Sequence, residues 1–500
     1  MGEEYFSDSY TKNSELDKYI KKIKNISVKK YDDSLLENVT LRDYQRFGIQ
    51  WLESLTQINL GGILADDMGL GKTLQVIALL TKSKLTDPAL IVVPKTLLYN
   101  WDEEIKKFSS KLKVLLVDGS IPQREKLLKN IKDYDIIITS YSLYRSDMKI
   151  YENLSFSFCF LDEAQHIKNP AINLTKAIKT VNAKHRFALT GTPIENNLTE
   201  LWSIFDFVMP GYLGNHGYFA RNYSSPIMKL EDKYALESLN FHIKPFILRR
   251  LKKDVLLELP PKIETHQLCD LDVEQKKLYQ AQLALAKQEI ATEIENKELS
   301  KNQIKIFSLL TRLRQICCHP KLFIENYKSG SGKFEALFEL LDELIAGNHK
   351  TLVFSQFTTM LKLISEELKN KGIEHYYLDG KVKPQERLRL VNDFNSKDVP
   401  VFLISLKAGG TGLNLVGSDT VIHVDPWWNP SVENQASDRA HRIGQKNSVQ
   451  VIKLITKGTI EEKITKLQEK KQKLIESVLH HEGKLINTLS EEDIRNLFDI

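Results

Sequence analysis

Short apolar runs alternate with helical patterns in two separate stretches of this 500-residue chain, and this alternation restricts the possible folds more than any other feature. The first stretch, from about 37 to 210, contains GGILA, ALIVVP, KVLLVD, DIIITS, FCFLDE and HRFALTG. The second, from about 350 to 457, contains KTLVFSQ, EHYYLDG, VPVFLISL, DTVIHVDP and SVQVIKLI. Strand-length runs separated by helices are typical of parallel sheets with crossover helices. The sequence therefore predicts an α/β protein with two parallel-sheet lobes.

The segments around these stretches differ in composition. No Gly or Pro occurs from Lys262 to His319, where LYQAQLALAKQEIATEIENKE is heavily charged and helical in pattern. We predict five parts, namely a polar extension (1–36), a first lobe (37–215), helical insertions with a linker (216–330), a second lobe (331–465) and C-terminal helices (466–500).

Composition excludes several classes of protein. Hydrophobic residues make up 42% and charged residues 27%, which is ordinary for a folded domain. The four cysteines suggest no disulfide framework, and Cys317-Cys318-His319 lacks the C-x-x-C spacing of a zinc site. No signal peptide or membrane-length apolar run is visible. We expect an intracellular protein with no membrane partner, in nucleoid-associated cytoplasm or, in a eukaryote, in the nucleus.

The stretch ADDMGLGKT (65–73) resembles a phosphate-binding loop, although Asp66 stands where the usual pattern has glycine. It follows an apolar run and precedes an apolar helix, which is the context such a loop requires. Gly69 and Gly71 let the backbone approach phosphate oxygens, Lys72 can reach the β and γ phosphates, and Thr73 can bind magnesium. An ordinary strand-to-helix turn would not need this Lys-Thr pair. The Asp66 carboxylate so near phosphates needs an explanation, such as pairing with a neighbouring cation.

Two further features fit a nucleotide site. Asp162 and Glu163 end an apolar run in FCFLDE, where Asp162 can hold magnesium and Glu163 can orient and deprotonate a water molecule. Upstream, the Gln45 amide could bond the adenine edge in a bidentate manner, which would favour ATP. Alone, the acidic pair could simply begin a helix, and Gln45 could be a surface residue.

The second lobe has a glycine-rich loop but lacks a second magnesium–nucleotide signature. VFLISLKAGGTGLNL is not followed by G-K-[ST], so Lys407 and the backbone of Gly409, Gly410, Thr411 and Gly412 are predicted to hold a nucleic-acid phosphate. A glycine-rich turn that only packs is the alternative. Downstream, Arg439 and Arg442 are three residues apart and could stabilise charge on the γ-phosphate from a separate lobe, unless they face solvent.

Eight stretches occur in an order that resembles the SWI/SNF-type ATPase family, whose members are superfamily-two, helicase-related motors that translocate on duplex DNA. They are LRDYQRFGIQW, ADDMGLGKT, LDEAQ, LTGTPIENNLTELWSIFDF, VFSQF, SLKAGGTGLNL, DPWWNP and QASDRAHRIGQ. The resemblance covers about residues 37 to 465 and implies two RecA-like lobes. LTGTPIENNLTELW and the insertion with LRQICCHP distinguish the chain from DEAD-box RNA helicases.

The resemblance also implies a role for individual residues. The ATP-binding residues would be Gln45, Asp67, Met68, Gly69, Leu70, Gly71, Lys72 and Thr73. The catalytic residues would be Lys72, Asp162, Glu163, Gln435, Arg439 and Arg442, with magnesium bound by Thr73 and Asp162. Thr190, Gly191 and Thr192 would couple the nucleotide to the lobe interface, and Gln165 stands where histidine is more common. The DNA backbone would contact Lys95, Thr139, Ser140, Ser355, Gln356, Gly380, Lys407, Gly409, Gly410 and Thr411.

Three functions remain open at this point. The motif order favours an ATP-dependent translocase on double-stranded DNA, which binds mainly phosphates and remodels or displaces a DNA-bound protein without separating strands. A strand-separating DNA or RNA helicase would share the two-lobe engine. A nucleotide-dependent DNA clamp would bind ATP with little turnover, although Lys72, Glu163, Arg439 and Arg442 argue against it.

Overall fold

The computed structural model describes residues 31–191, 198–230, 232–256, 258–295, 303–409, 413–469 and 497. Within these residues the strands form two separate sheets, and every paired strand runs parallel to its neighbours. The predicted fold class, two parallel-sheet lobes with helices between the strands, is confirmed. The first thirty residues and nearly all of the predicted C-terminal helices lie outside the described part.

The first sheet has seven strands in the order β3-β4-β2-β5-β6-β1-β7. Its strands are β1 (Gly62–Leu64), β2 (Ala89–Val93), β3 (Val114–Leu116), β4 (Ile136–Ser140), β5 (Phe156–Asp162), β6 (Ala183–Leu189) and β7 (Ile247–Leu248). The second sheet has six strands in the order β10-β11-β9-β12-β13-β8. They are β8 (Lys262–Cys269), β9 (Thr351–Ser355), β10 (His375–Leu378), β11 (Val401–Ser405), β12 (Thr420–His423) and β13 (Val449–Thr456).

Helices cover both faces of each sheet, which explains why the central strands are apolar without interruption. Around the first sheet they are Asp43–Gln57, Lys72–Lys82, Leu98–Phe108, Ile121–Leu128, Tyr141–Ser146, Met148–Tyr151, Asn173–Lys179, Leu198–Val208, His216–Phe219, Ser225–Leu230, Lys233–Ile243 and Lys252–Val255. Those that follow β8 are Val273–Glu295, Gln303–Cys318, Gly332–Ala346, Thr358–Asn370, Pro384–Ser396, Leu406–Gly409 and Pro430–Ser437, and residues 460–469 are also helical. No helix in the described part is long and apolar enough to cross a membrane.

Each sheet separates two hydrophobic cores. Along β2, Leu90 and Val92 belong to one core, whereas Ala89, Ile91 and Val93 belong to the other. This division follows from the two-residue repeat of a strand, which sends successive side chains to opposite faces. Buried strands of this kind need apolar residues at every position, and all five residues of β2 are fully buried.

The region predicted to contain helical insertions and a linker, 216–330, also contains two strands in its described part. Strand β7 extends the first sheet beside β1, and β8 pairs with β13 along its whole length, from Lys262 with Val449 to Cys269 with Thr456. Strand β8 is an edge strand that is exposed along most of its length. It therefore lacks the continuous apolar pattern by which the other strands were predicted.

The parallel arrangement places the predicted site residues at one edge of each sheet. In the first lobe the phosphate-binding loop follows β1, Asp162 ends β5 and Thr190 follows β6. In the second lobe Ser355 ends β9 and Lys407 follows β11. Because the carboxyl ends of parallel strands lie at the same edge, loops far apart in sequence converge there.

A buried ion pair joins three elements of the second lobe. Lys333 Nζ lies 2.5 Å from Glu461 Oε2, and both side chains are 0% exposed. The same ammonium donates to the carbonyl oxygens of Val424 (2.9 Å) and Leu454 (3.3 Å), while Thr456 N donates to Glu461 Oε2 (2.8 Å). Removing one member of such a pair leaves an uncompensated buried charge.

We therefore expect Lys333→Met to lower the free energy of unfolding by about 3–5 kcal/mol. The paired variant Lys333→Met/Glu461→Gln removes both charges and should recover part of this loss. Denaturant titration followed by circular dichroism measures both effects. The control is Lys397→Met, which removes an exposed partner of Asp393 and should change stability little. A Lys333→Met variant as stable as the control would contradict the prediction.

Candidate nucleotide site between the two lobes

The loop after β1 has the backbone geometry that its glycines predicted. Gly69 and Gly71 have φ values of 86° and 78°, a left-handed conformation that side chains other than glycine rarely adopt. Lys72 begins the following helix, and its ammonium donates to the carbonyl oxygens of Asp66 (2.6 Å) and Asp67 (3.3 Å). Burial lowers the pKa of Lys72, against the opposing carboxylates of Glu163 and Asp66. The loop thus holds its lysine inside the turn that phosphates would fill.

The cation that Asp66 requires is Arg250. Asp66 is fully buried, and Arg250 contacts both of its carboxylate oxygens, with Nε 2.8 Å from Oδ1. Gln75 Nε2 donates to Asp66 Oδ2 (3.2 Å), and Arg250 Nη2 donates to Gln75 Oε1 (2.9 Å). The guanidinium also bonds the carbonyl of Tyr44 and lies over its ring, 5.2 Å from the centroid. Asp66 therefore fixes the phosphate-binding loop to Arg250 and Gln75.

Gln45 lies against the phosphate-binding loop and is only 3% exposed. Its Oε1 accepts from Arg42 N (3.0 Å), and its Nε2 donates to the carbonyl of Leu70 (3.3 Å). The Tyr44 hydroxyl donates to the same Leu70 oxygen (3.2 Å). Contact with adenine would require the Gln45 amide to exchange one of these bonds, so its predicted role stays a prediction.

The acidic pair at the end of β5 is held by residues that sequence reasoning missed. Trp101 Nε1 donates to Asp162 Oδ2 (2.8 Å), and the Tyr141 hydroxyl donates to the Asp162 carbonyl (2.7 Å). Glu163 has a φ of 49°, an unusual conformation outside glycine, and its N–H donates to Asp162 Oδ1 (2.9 Å). Burial, and then the Glu163 carboxylate, raise the pKa of Asp162. A cation at this point would stabilise the ionised form.

Gln165 connects the acidic pair to the loop after β6. Its Nε2 donates to Glu163 Oε2 (2.9 Å), and its Oε1 accepts from the Thr190 hydroxyl (2.9 Å). A glutamine amide donates through its nitrogen and accepts through its oxygen, so Gln165 can link Glu163 to Thr190 where histidine is more common. The coupling role of Thr190 and Gly191 stays a prediction, and Thr192 lies outside the described residues.

The two arginines of the second lobe reach the first lobe. Arg442 packs on Gly69, where an added Cβ would lie 2.6 Å from Arg442 Cγ. Arg439 lies with Nη2 3.6 Å from Met68 Sδ and donates from Nε to the Gly409 carbonyl (3.2 Å). Both line one cavity with residues of the first lobe, including Met68, Gly69, Gly71, Lys72, Thr73, Trp101, Glu104, Asp162 and Glu163. Residues more than 360 positions apart therefore share a single site.

Gln435 lies beside this cavity, in a cleft of about 620 Å³ that Asp67 and Met68 also line. Its side chain is 7% exposed, and its buried Nε2 has no hydrogen-bond partner in the described part of the chain. Among the described residues no group of three or more His, Cys, Asp or Glu side chains could by itself form a metal site.

The predicted DNA-contacting residues differ in their exposure to solvent. Lys95, Gly380 and Lys407 are exposed. Gly409 is buried against Phe354, where an added Cβ would lie 2.4 Å from Cε1, and it is therefore a packing position. Gly410, Thr411 and Gly412 lie outside the described residues.

For three of the predicted DNA-contacting residues the structure argues against direct contact. The side chains of Thr139, Ser140 and Ser355 are at most 1% exposed. Ser140 caps the helix that follows β4 by accepting from Leu143 N (3.3 Å), and Ser355 Oγ donates to Asp425 Oδ1 (2.5 Å). Gln356 also donates to Asp425, through its backbone N–H (3.2 Å). The Ser140 and Ser355 hydroxyls accept from Leu143 N and Phe357 N, as small polar residues commonly do where a strand turns into a helix.

Restoring the common glycine at position 66 should weaken the protein. Asp66→Gly leaves Arg250 without its carboxylate partner in a nearly buried position, which should lower the free energy of unfolding by about 3 kcal/mol. Denaturant titration measures the loss. The matched control is Asp133→Ala, which removes an exposed carboxylate of the same lobe. Equal stability of Asp66→Gly and the control would show that the ion pair is dispensable.

Two protein-family signatures match this chain, and a solved structure is similar to it in sequence. The signature of the SNF2-related domain family matches residues 44–322, and that of the helicase conserved C-terminal domain matches residues 332–444. A solved structure described as the Sulfolobus solfataricus SWI2/SNF2 ATPase core in complex with dsDNA is 36% identical, covering 94% of this chain and 99% of that chain, with a TM-score of 0.47.

Curated relatives include bacterial and eukaryotic proteins. The Bacillus subtilis "Putative ATP-dependent helicase/translocase YwqA" is 41% identical over 474 residues, covering 92% of this chain and 51% of the relative. An "Uncharacterized ATP-dependent helicase" of Mycoplasma pneumoniae is 40% identical over 487 residues, covering 96% and 46%. The "TATA-binding protein-associated factor MOT1" of Saccharomyces cerevisiae is 36% identical over 531 residues, covering 92% and 28%.

The chain thus spans about half the length of the bacterial relatives it matches, and less of the yeast protein. The SNF2-related signature alone covers more than half of the chain, and the phosphate-binding loop, the acidic pair and the two arginines line one cavity. The protein therefore belongs to the SNF2 family of helicase-related, ATP-hydrolysing enzymes.

Proposed function

We propose that this chain is an ATP-driven motor that translocates along double-stranded DNA and displaces or remodels proteins bound to it, without separating the strands. The observation that carries the proposal is one cavity that residues of both lobes line together. Arg439 and Arg442 of the second lobe lie against Met68 and Gly69 of the first. A site completed only by lobe closure converts each hydrolysis cycle into a relative movement of the lobes.

Within this cavity the residues divide the chemistry of ATP hydrolysis. Lys72 would leave the loop carbonyls and bind the β and γ phosphates, helped by backbone N–H groups at the start of its helix. Glu163 would orient and deprotonate the attacking water, with its carboxylate held by Gln165. Arg439 and Arg442 would stabilise charge on the transferred phosphoryl group.

Magnesium suits two oxygen donors of this cavity. The Thr73 hydroxyl and the Asp162 carboxylate line it together, and hard oxygen ligands of this kind, completed by phosphate oxygens and water, are what Mg²⁺ prefers. The raised pKa of Asp162 fits a carboxylate that needs a cation beside it. When bound, magnesium would neutralise charge that develops on the phosphates.

Exposed lysines in both lobes support a duplex track. Lys95 follows β2 of the first lobe and Lys407 follows β11 of the second, and both are exposed. Each lobe could thus hold the phosphate backbone and release it in turn. Phosphate contacts of this kind carry little sequence specificity and weaken with salt. The name of the Bacillus relative, a helicase/translocase, and that of the yeast relative, a TATA-binding protein-associated factor, are consistent with movement on DNA and action on a DNA-bound protein.

The test is steady-state ATP hydrolysis without nucleic acid and then with duplex DNA, single-stranded DNA and duplex RNA at matched salt. We expect strong stimulation by duplex DNA alone, followed by displacement of a triplex-forming strand as evidence of translocation. Stimulation by single strands or RNA would favour a helicase. Absence of any stimulation would favour a clamp.

Replacing the proposed base should separate binding from turnover. In Glu163→Gln the side chain keeps its size but cannot take a proton, so kcat should fall by at least about 10²-fold while ATP affinity stays within about threefold. Fluorescent-nucleotide titration and steady-state kinetics measure the two quantities. Glu103→Gln, an exposed position on the helix Leu98–Phe108, is the control. Brisk hydrolysis by Glu163→Gln would remove Glu163 from this role.

Removing one arginine should affect turnover far more than binding. Arg442→Ala should lower kcat by at least about 10²-fold, because an arginine finger acts mainly on charge that develops in the transition state. ATP affinity should change much less. Arg221→Ala, an exposed arginine of the insertion, should behave as wild type. Parallel losses of affinity and kcat would assign Arg442 a structural role.

A further inference from the structure

The end of β7 and the segment between β7 and β8 contact the phosphate-binding loop through backbone groups. Ala65 N donates to the Leu248 carbonyl (2.7 Å), and Asp67 N donates to the Arg250 carbonyl (3.0 Å). Asp67 Oδ2 in turn accepts from Lys252 N (2.9 Å). We call residues 249–256 and 258–262 the bridging segment. Its first part is fixed to the loop of the first lobe.

The same segment contacts the arginine-bearing turn of the second lobe. Lys252 Nζ donates to the His441 carbonyl (2.6 Å) and lies 3.1 Å from Asp438 Oδ1. Lys262 Nζ lies 3.5 Å from the same Asp438 oxygen. His441 Nε2 lies 2.8 Å from the Pro260 carbonyl oxygen. The bridging segment therefore links the two lobes through bonds on both sides of the cleft.

Lys252 is the residue in which both sets of contacts meet. Its backbone bonds the first lobe at Asp67, and its side chain, 8% exposed, bonds the second lobe. The second-lobe partners flank the two arginines, because Asp438 immediately precedes Arg439 and His441 immediately precedes Arg442. An ammonium has three donors and no acceptor, so one lysine can bond a carboxylate and a carbonyl together.

Burial of this ammonium is costly unless it is paired. Desolvation lowers the pKa of Lys252, while the Asp438 carboxylate opposes that effect. Opening the cleft would separate Lys252 from Asp438 and His441 and expose all three groups to water. The contact therefore forms fully only when the lobes are closed.

We propose that Lys252 is a positioning residue that holds Arg439 and Arg442 in register with the phosphate-binding loop when the lobes close. This role rests on the proposed function, in which those arginines act on the transferred phosphoryl group. Lys252 itself is not among the side chains that line the cavity shared by Lys72, Glu163 and the arginines. It would act through the arginines and not on ATP.

A double-mutant cycle in the full chain tests this role. Lys252→Met removes the ammonium and should lower kcat for duplex-stimulated ATP hydrolysis by about 10- to 100-fold, with KM for ATP changing less than about threefold. In the Arg442→Ala background the same substitution should lower kcat by less than about threefold, because an arginine that is gone needs no positioning. Losses that multiply would show that Lys252 acts independently of Arg442 and would overturn the proposal.

The neighbouring lysine provides the matched control. Lys253 lies one residue along the same short helix and is exposed, so Lys253→Met should leave kcat and KM unchanged. Circular dichroism melting identifies any variant that fails to fold. If Lys252→Met fails to fold, Asp438→Asn replaces it in the cycle, because it neutralises the carboxylate partner of Lys252 and keeps the size of that side chain. The expected result is the same.

Energy transfer between two dyes, one on each lobe, measures lobe closure independently of activity. The native cysteines, Cys159, Cys269, Cys317 and Cys318, are all buried, so a dye pair can be attached to cysteines introduced at exposed Lys132 and Lys369, one in each lobe. With a non-hydrolysable ATP analogue and duplex DNA, Lys252→Met should lower the closed population relative to Lys253→Met. Equal closure by both variants would overturn the proposal.

The two proposals can fail separately. Wild-type protein that hydrolyses ATP normally while Lys252→Met keeps full kcat would contradict the role of Lys252 alone. Wild-type protein that shows no hydrolysis with any nucleic acid would contradict the proposed motor, and the dye-pair measurement would still decide the role of Lys252 in closure.

Discussion

The parallel direction of every strand pair is the constraint on which the rest of this structure depends. Because parallel strands must be joined by crossovers, all the carboxyl ends in a sheet lie at one edge, and the loops that leave them lie side by side. In the first lobe that edge carries the phosphate-binding loop, Asp162 and Thr190. In the second lobe it carries Asp425 and Lys407. The functional cleft forms where the two lobes meet.

Buried charged groups around the cleft would cost folding free energy if they had no partners. Asp66 is fully buried and pairs with Arg250, Lys72 donates to two loop carbonyls, and Lys252 joins Asp438 to Asp67. Each of these buried charges has specific partners, as the cost of desolvation requires. The partners of Asp66 and Lys252 come from distant parts of the sequence, and the side-chain contacts of Lys252 cross between the lobes.

Sequence patterns succeeded where local chemistry determines structure. Continuous apolar runs predicted the central strands because those strands are buried on both faces, and the glycines of 65–73 predicted a turn that needs positive φ values. They failed at β8, because an exposed edge strand can carry a polar sequence such as KIETHQLC. They also failed at Thr139, Ser140 and Ser355, which were expected to contact DNA but are buried. The same residue types, Ser and Thr, occur at strand ends whether they bind a ligand or cap a helix, so the sequence pattern does not distinguish the two roles.

By itself, the sequence determined the fold class, because backbone preferences and hydrophobic periodicity act over a few residues. Its ordered motifs carried the resemblance to the family. Only the tertiary structure decided which groups meet. Arg250 partners Asp66 from 184 positions away, Gln165 links Glu163 to Thr190, and Lys252 reaches across the cleft to Asp438 and His441. Such pairings depend on where crossovers place each loop in space, and local sequence preferences carry no information about that placement.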